Sequence, residues 1–312
     1  MPELKPPYGI IANAMRNGQV VPFLGAGASL VNRPPNWDWN IDRAEFLPTG
    51  AELAAHLADI SEFPSQDVAD RSDLAKVASY CTVAGPRCSL LEVLHNIFQR
   101  RFDPGPLHRW LAAIDKPMLI VVTNYDLLLE QAFKTAKRPY DLVVQPADQT
   151  SYGNAVLWWP NGQQEPEHIQ PNSLIIDPAE KTVIYKMHGS VSEQGNNWDN
   201  FVITEEDYVD FLSRMSTKSS VVPKVFLDHF RRRSFLFLGY SLRDWNLRVI
   251  LHKLGGFAWR PRAAGQDEGL QSWAIQRDPT ALERALWSKR MVNIYNKDID
   301  SFVEKMRTQM GM

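Results

Sequence analysis

The sequence predicts an α/β fold: a doubly wound, mostly parallel sheet with helices on both faces. Three observations predict it. Four short apolar runs, 20–24, 118–122, 182–187 and 235–238, are continuous rather than alternating, as suits strands buried on both faces of a parallel sheet. Segments with helical spacing lie between them, so strand and helix alternate along the chain. Each run also ends in a short polar or glycine-containing segment, at the strand end where an open α/β sheet builds its ligand crevice.

The elements follow in chain order. Residues 11–16 read as a helix before the first strand. Helical spacing then recurs at 51–60, 73–80, 90–101 and 106–114. This stretch is far longer than one crossover helix requires, so about 50–115 is expected to be a helical module inserted into the sheet domain, covering one side of the crevice. A helix at 127–136 follows the second strand. Residues 145–177 carry Gly, Pro, Asn and the Trp158-Trp159 pair and predict a loop or short hairpin. Helices at 205–212 and 222–230 lead to the fourth strand, and one at 244–254 follows it, stopped by Gly255-Gly256. Strands at 272–275 and 291–295, with helices at 280–288 and from 298, make about 260–312 a sheet-completing segment. The whole chain, 1–312, is expected to be a single domain, without internal repeats.

Composition narrows the function. The chain has 312 residues, 44% hydrophobic and 22% charged, with a net charge of -2. That is ordinary for a soluble globular protein, and it lacks the basic field of a nucleic-acid binder. Arg231-Arg232-Arg233 falls at a helix C-terminus, where positive charge suits the dipole. No run reaches the roughly 18 apolar residues of a membrane span, and Met1–Pro7 lacks a signal-peptide core, so a cytoplasmic location is expected. Cys81 and Cys88, the two cysteines of the chain, cannot supply a disulfide framework or a four-cysteine zinc site. They are expected to be half-buried thiols, with no metal bound. Trp37 and Trp39 fall in a polar loop and look exposed, as interface anchors would be.

Four strand-end segments carry the candidate chemistry. Gly25-Ala26-Gly27-Ala28-Ser29 ends the first run; glycines there allow a sharp turn and close approach to a phosphate. No third Gly follows at position 30 and no Gly-Lys-Ser/Thr comes after it, so the segment is neither a full dinucleotide fingerprint nor a P-loop. Thr123-Asn124-Tyr125-Asp126 ends the second run. Asn124 can donate to and accept from a ribose hydroxyl or a water, or serve as a turn residue, while Asp126 suits a helix N-cap. His188-Gly189 ends the third, and a histidine there can take a proton. Gly239-Tyr240-Ser241 ends the fourth, where Ser241 is a plain N-cap or a ribose or phosphate ligand.

In their order these segments resemble the sirtuin superfamily, which carries a Gly-Ala-Gly-x-Ser loop, a Gln-Asn-x-Asp segment, a His-Gly pair and a late Gly-x-Ser. Gly25 to Ser29 match the first; Asn124 and Asp126 match the second, with Thr123 in place of Gln; His188-Gly189 and Gly239-Tyr240-Ser241 match the rest. The resemblance spans about residues 20–250. It implies a Rossmann-like sheet that binds NAD, with a small inserted module. With two cysteines the chain cannot form the four-cysteine zinc ribbon of protein-deacylating sirtuins. The segments 200–208 and 239–246 look instead like bacterial sirtuin-like proteins of antiphage defence.

That resemblance implies an NAD+ glycohydrolase, releasing nicotinamide and ADP-ribose and depleting NAD in abortive infection. Asn124 would position the attacking water and the nicotinamide ribose, and His188 would act as base through a ribose hydroxyl or directly on water. Gly25, Ala26, Gly27, Ser29, Thr123, Asp126, Gly239, Tyr240 and Ser241 would hold the rest of the dinucleotide. An NAD-dependent deacylase or ADP-ribosyltransferase, and a non-enzymatic NAD- or ADP-ribose-sensing subunit, share the same pocket. The resemblance further implies a homo-oligomer acting with a separately encoded partner, a HerA-type ATPase in preference to a short Argonaute; the composition predicts neither membrane nor direct nucleic-acid binding.

Overall fold

A computed structural model describes residues 4–43, 45–161, 163–215, 221–240, 248–251 and 270–312. The apolar runs become strands. In chain order these are β1 (Val20–Leu24), β2 (Leu119–Val122), β3 (Asp141–Val144), β4 (Val156–Trp159), β5 (Glu167–Ile169), β6 (Val183–Lys186), β7 (Gly189–Ser190), β8 (Asn200–Phe201), β9 (Ser234–Leu238), β10 (Ser272–Gln276) and β11 (Val292–Asn296). Nine of them form one sheet in the order β11-β10-β9-β1-β2-β6-β3-β4-β5. From β11 through β3 every neighbour pairs in parallel, while β4 and β5 add antiparallel at the β3 edge.

The period-2 alternation of each strand sorts its side chains onto two cores. Phe23, Val121, Tyr185 and Phe237 face one side, where Phe211 and Phe226 of helices Glu205–Arg214 and Lys224–Phe230 cover them. Leu24, Val122, Ile184 and Leu238 face the other, beneath Met15, Trp110, Phe133 and Phe302 from helices Tyr8–Arg16, Pro106–Ala112, Leu128–Thr135 and Ile299–Met310. Continuous apolar runs are therefore what a sheet sandwiched between two helical layers requires.

Helices Gly50–Ile60, Leu74–Ala84 and Arg87–Phe98 occupy the stretch between β1 and β2. The first opens on a capping box in which Thr49 and Glu52 satisfy each other's backbone amides. Leu53, Leu57, Val77, Leu94 and Ile97 form a third core that also takes in Tyr125 and Phe201. Tyr125 follows Asn124 and Phe201 pairs with Gly189, so these helices rest on the segments that leave β2 and β6.

Three details differ from the sequence reading. Strand β3 is not among the expected strands, because it opens on Asp141 and leaves an apolar run of three residues, Leu142 to Val144. Trp37 and Trp39 are half-buried rather than exposed: their rings sit edge-on to Phe46 at 5.0 Å and to His56 at 5.7 Å. Cys81 is half-buried but Cys88 is exposed, on a different helix. The predicted hairpin at 145–177 is the antiparallel β4–β5 pair. The helix expected at 244–254 and its Gly255-Gly256 stop lie mostly outside the described residues.

Candidate functional site

β1 is where the winding reverses: β2 lies on one side of it and β9 on the other. At the carboxyl ends of β1 and β9 the two glycine segments meet backbone on backbone. Gly25 N donates to Leu238 O at 3.0 Å and Gly27 N to Gly239 O at 2.9 Å. A Cβ on Gly239, whose φ is +75°, would lie 2.2 Å from Ala28 N. Nothing larger than glycine fits there without moving the main chain. After Gly25 the chain turns through a short 3-10 segment, Ala26–Leu30, and Ala28 N bonds back to Gly25 O.

Asn124 reaches across from β2 to this turn. Its Nδ2 donates to Gly25 O at 2.9 Å and to Ser29 Oγ at 2.6 Å. The Ser29 hydroxyl in turn donates to Asp126 Oδ2 at 2.5 Å, and Asp126 Oδ1 accepts the Leu128 amide at 3.0 Å. Asp126 thus satisfies an orphan amide at the start of helix Leu128–Thr135 while tying that helix to the glycine turn. On the β9 side, the Tyr240 hydroxyl donates to Thr123 Oγ1 at 2.5 Å, and its ring lies against Gly25 and edge-on to Phe23. Gly25, Gly27, Ser29, Thr123, Asn124, Asp126, Gly239 and Tyr240 therefore form one joined cluster. Ala26 is exposed on the turn, and Ser241 lies outside the described residues.

His188 stands one strand over. β2 and β6 pair with Val122 opposite Lys186, so Asn124 and His188 each lie two residues beyond the same rung. The His188 ring packs edge-on against Tyr208 at 5.5 Å and Phe211 at 5.4 Å, and its Nε2 is buried without a hydrogen-bond partner among the described residues. Burial pushes its pKa down to about 4, so the imidazole is neutral at neutral pH. Gly189, with φ +84°, passes so close to β8 that a Cβ would lie 1.8 Å from Asn200 O.

Several residues outside the sequence-based set shape this site. Lys186 is fully buried; its Nζ donates to Tyr125 O and Asp126 O and pairs with the buried Glu130 carboxylate at 3.2 Å. Burial pushes the Glu130 carboxyl up, and Lys186 pulls it back. The clue in the sequence is a charged residue inside an otherwise apolar run. Gln145, one residue past β3, is fully buried, with neither side-chain amide atom hydrogen-bonded among the described residues, and nothing in its sequence context announces that. His108 is buried near Asp126, and burial lowers its pKa.

Two cavities flank the cluster. One, of about 670 Å³, is bordered by Gly27, Gly239 and Tyr240 together with Arg33, Gln276 and Lys297. Another, of about 510 Å³, lies between helix Leu128–Thr135, β3 and the segment after His188, bordered by Glu130, Tyr140, Trp159 and Trp198. Neither is bordered by Asn124 or His188. Among the described residues no three His, Cys, Asp or Glu side chains gather as metal ligands, and no helix is long and apolar enough to cross a membrane.

Residues 118–295, which carry β2, β6 and β9 with their strand-end segments, match the SIR2-like domain family. The chain belongs to that family. This SIR2-like chain is 19% identical to Defense-associated sirtuin 2 of Bacillus subtilis over 273 residues, covering 88% of this chain and 22% of that one. It is 25% identical to the NAD(+) hydrolase ThsA of Enterococcus faecium over 248 residues, 77% of this chain and 41% of that one, and 22% identical to the protein of the same name from Cytobacillus dafuensis over 246 residues. The SIR2-like chain thus spans well under half the length of these relatives.

Proposed function

We propose that this SIR2-like domain hydrolyses NAD+ to nicotinamide and ADP-ribose, in a system that depletes NAD during phage infection. The observation that carries the reading is the placement of Asn124 and His188 two residues beyond the same β2–β6 rung, at the carboxyl ends of adjacent strands, with Asn124 bonded to the glycine turn at the point of strand reversal. Crevices at such points are where open α/β sheets bind nucleotides. Relatives named for NAD(+) hydrolysis and for defence support it.

In this reading the glycine turn and Tyr240 hold the dinucleotide on the β1–β9 side, with the 670 Å³ cavity as its extension. The C–N bond between ribose and nicotinamide breaks, its electron pair leaving with the ring nitrogen. The oxocarbenium centre left behind takes a water oxygen, and the water's proton passes to His188 Nε2 and then to solvent. A neutral imidazole of low pKa suffices, because water loses its proton only as it bonds to so strong an electrophile. Asn124, whose Nδ2 is held by Gly25 and Ser29, keeps its Oδ1 for the ribose. Homo-oligomerisation and control by a separately encoded partner belong to the same proposal.

The test is NAD consumption by the purified chain, with products resolved. Equal amounts of nicotinamide and free ADP-ribose, reduced roughly 10²-fold or more in Asn124→Ala and His188→Ala, support the proposal. An ADP-ribosylated or deacylated acceptor in place of free ADP-ribose assigns the site to transfer. Binding of NAD without turnover, unaffected by His188→Ala, assigns it to sensing.

A further inference from the structure

We infer that Gln145 is a second anchor of the attacking water, acting together with His188; the inference rests on the hydrolase reading above. Gln145 continues the β3 ladder, its amide donating to Lys186 O at 2.9 Å. β3 and β6 pair in parallel with Val143 opposite Tyr185 and Val144 opposite Lys186. Gln145 therefore stands beside Met187, one residue short of His188, on a strand about 4.8 Å away.

The two side chains share a face. Val143, two residues before Gln145, belongs to the core that holds Tyr185, Met187 and Phe211, and strand alternation sends Gln145 to the same side. The His188 ring packs on Phe211 of that core. The backbone around them is stitched together: Asn200 Oδ1 accepts the amides of Ala147 and Asp148, just past Gln145, while Asn200 pairs with Ser190 and Phe201 with Gly189, just past His188.

What makes this a site rather than a packing detail is the set of open valences. Gln145 Oε1, Gln145 Nε2 and His188 Nε2 are all buried and, among the described residues, all without hydrogen-bond partners. Buried polar groups are nearly always satisfied, and two acceptors and a donor on one face of neighbouring strands are what a single water can fill, since an enclosed water needs two to four polar partners. With its hydrogens directed to Gln145 Oε1 and His188 Nε2 and a lone pair held by Gln145 Nε2–H, a water keeps one lone pair for the ribose carbon. As it attacks, its O–C bond forms and the proton facing His188 transfers to Nε2; Gln145 exchanges no proton. Gln145 lies on the side of β6 away from Asn124.

Gln145→Met keeps the side-chain length and removes both polar atoms. On the purified full chain we expect nicotinamide exchange into NAD, followed with labelled nicotinamide, to persist, because bond breaking does not need the water. Hydrolysis should fall roughly 10²-fold with the KM for NAD unchanged. Equal loss of exchange and hydrolysis, or unchanged hydrolysis, overturns the inference. If the parental chain neither releases nor exchanges nicotinamide, the hydrolase reading itself fails and takes this inference with it.

Discussion

The side-chain amide of Asn124 and the hydroxyl of Ser29 meet at 2.6 Å, across 95 residues of sequence. Because the same hydroxyl donates to Asp126, Ser29 fixes both residues of the β2 end relative to the glycine turn. Ser29→Ala removes the bridge but leaves Asn124 bonded to Gly25 O and Asp126 bonded to Leu128 N. The expected outcome is a modest stability loss of about 1 kcal/mol with a much larger fall in NAD turnover, roughly tenfold or more, as Asn124 loses one of two contacts that orient it. Denaturant titration alongside steady-state kinetics checks both.

The glycine pair offers a contrast between two residues that share a backbone conformation. Gly239 and Gly195 both have positive φ, at +75° and +88°, but a Cβ on Gly239 would strike the main chain of residues 25 to 28, whereas around Gly195 there is open space. Gly195→Ala is expected to cost about 1 kcal/mol from backbone strain alone. Gly239→Ala should be several-fold worse and should separate β9 from the β1 turn, losing NAD binding with it. Thermal melting of the two variants, and calorimetric titration with NAD, give the comparison.

What the sequence made legible follows from the same physics. β1, β2, β6 and β9 are readable because strands buried on both faces have to be apolar throughout, and the site turns are readable because glycine and polar residues interrupt them at the ends. β3 was hidden by its shortness and its leading Asp141, whose buried carboxylate is matched by Lys181 at 2.7 Å and by the Trp158 indole; partners set by tertiary structure leave no local trace. Gln145 was hidden for the opposite reason, since its distinguishing property is a buried side-chain amide without a hydrogen-bond partner among the described residues. Lys186 could have been noticed, as a charge within a doubly buried strand demands a counter-ion, but Glu130 as that counter-ion emerges only from the packing of helix Leu128–Thr135 on β6.

The Lys186–Glu130 pair should behave as a buried ion pair does. Lys186→Met leaves the Glu130 carboxylate without its counter-ion and the Tyr125 and Asp126 carbonyls without their donor, so a loss of about 3–5 kcal/mol is expected. Adding Glu130→Leu removes the stranded carboxylate and should recover a large part of that loss. A double-mutant cycle by chemical denaturation measures the coupling; additive single effects would show that the two residues stabilise the chain independently.

Acid should weaken the fold before most carboxylates titrate. His188 and His229 have pKa values pushed down to about 4, in both cases mainly by burial, from an ordinary value of 6.5. Between those limits the unfolded chain binds more protons than the folded one, so stability rises with pH across the window and is lost as pH falls through it. The melting temperature should therefore drop between about pH 6.5 and pH 4. His188→Phe, which suits the niche formed by Tyr208 and Phe211, should flatten part of that slope. Turnover should follow the neutral imidazole, staying level near neutral pH and falling as His188 protonates near pH 4. A turnover midpoint near the unshifted 6.5 instead would mean that substrate binding returns His188 to a polar environment, and the pH dependence of kcat against that of kcat/KM distinguishes the two.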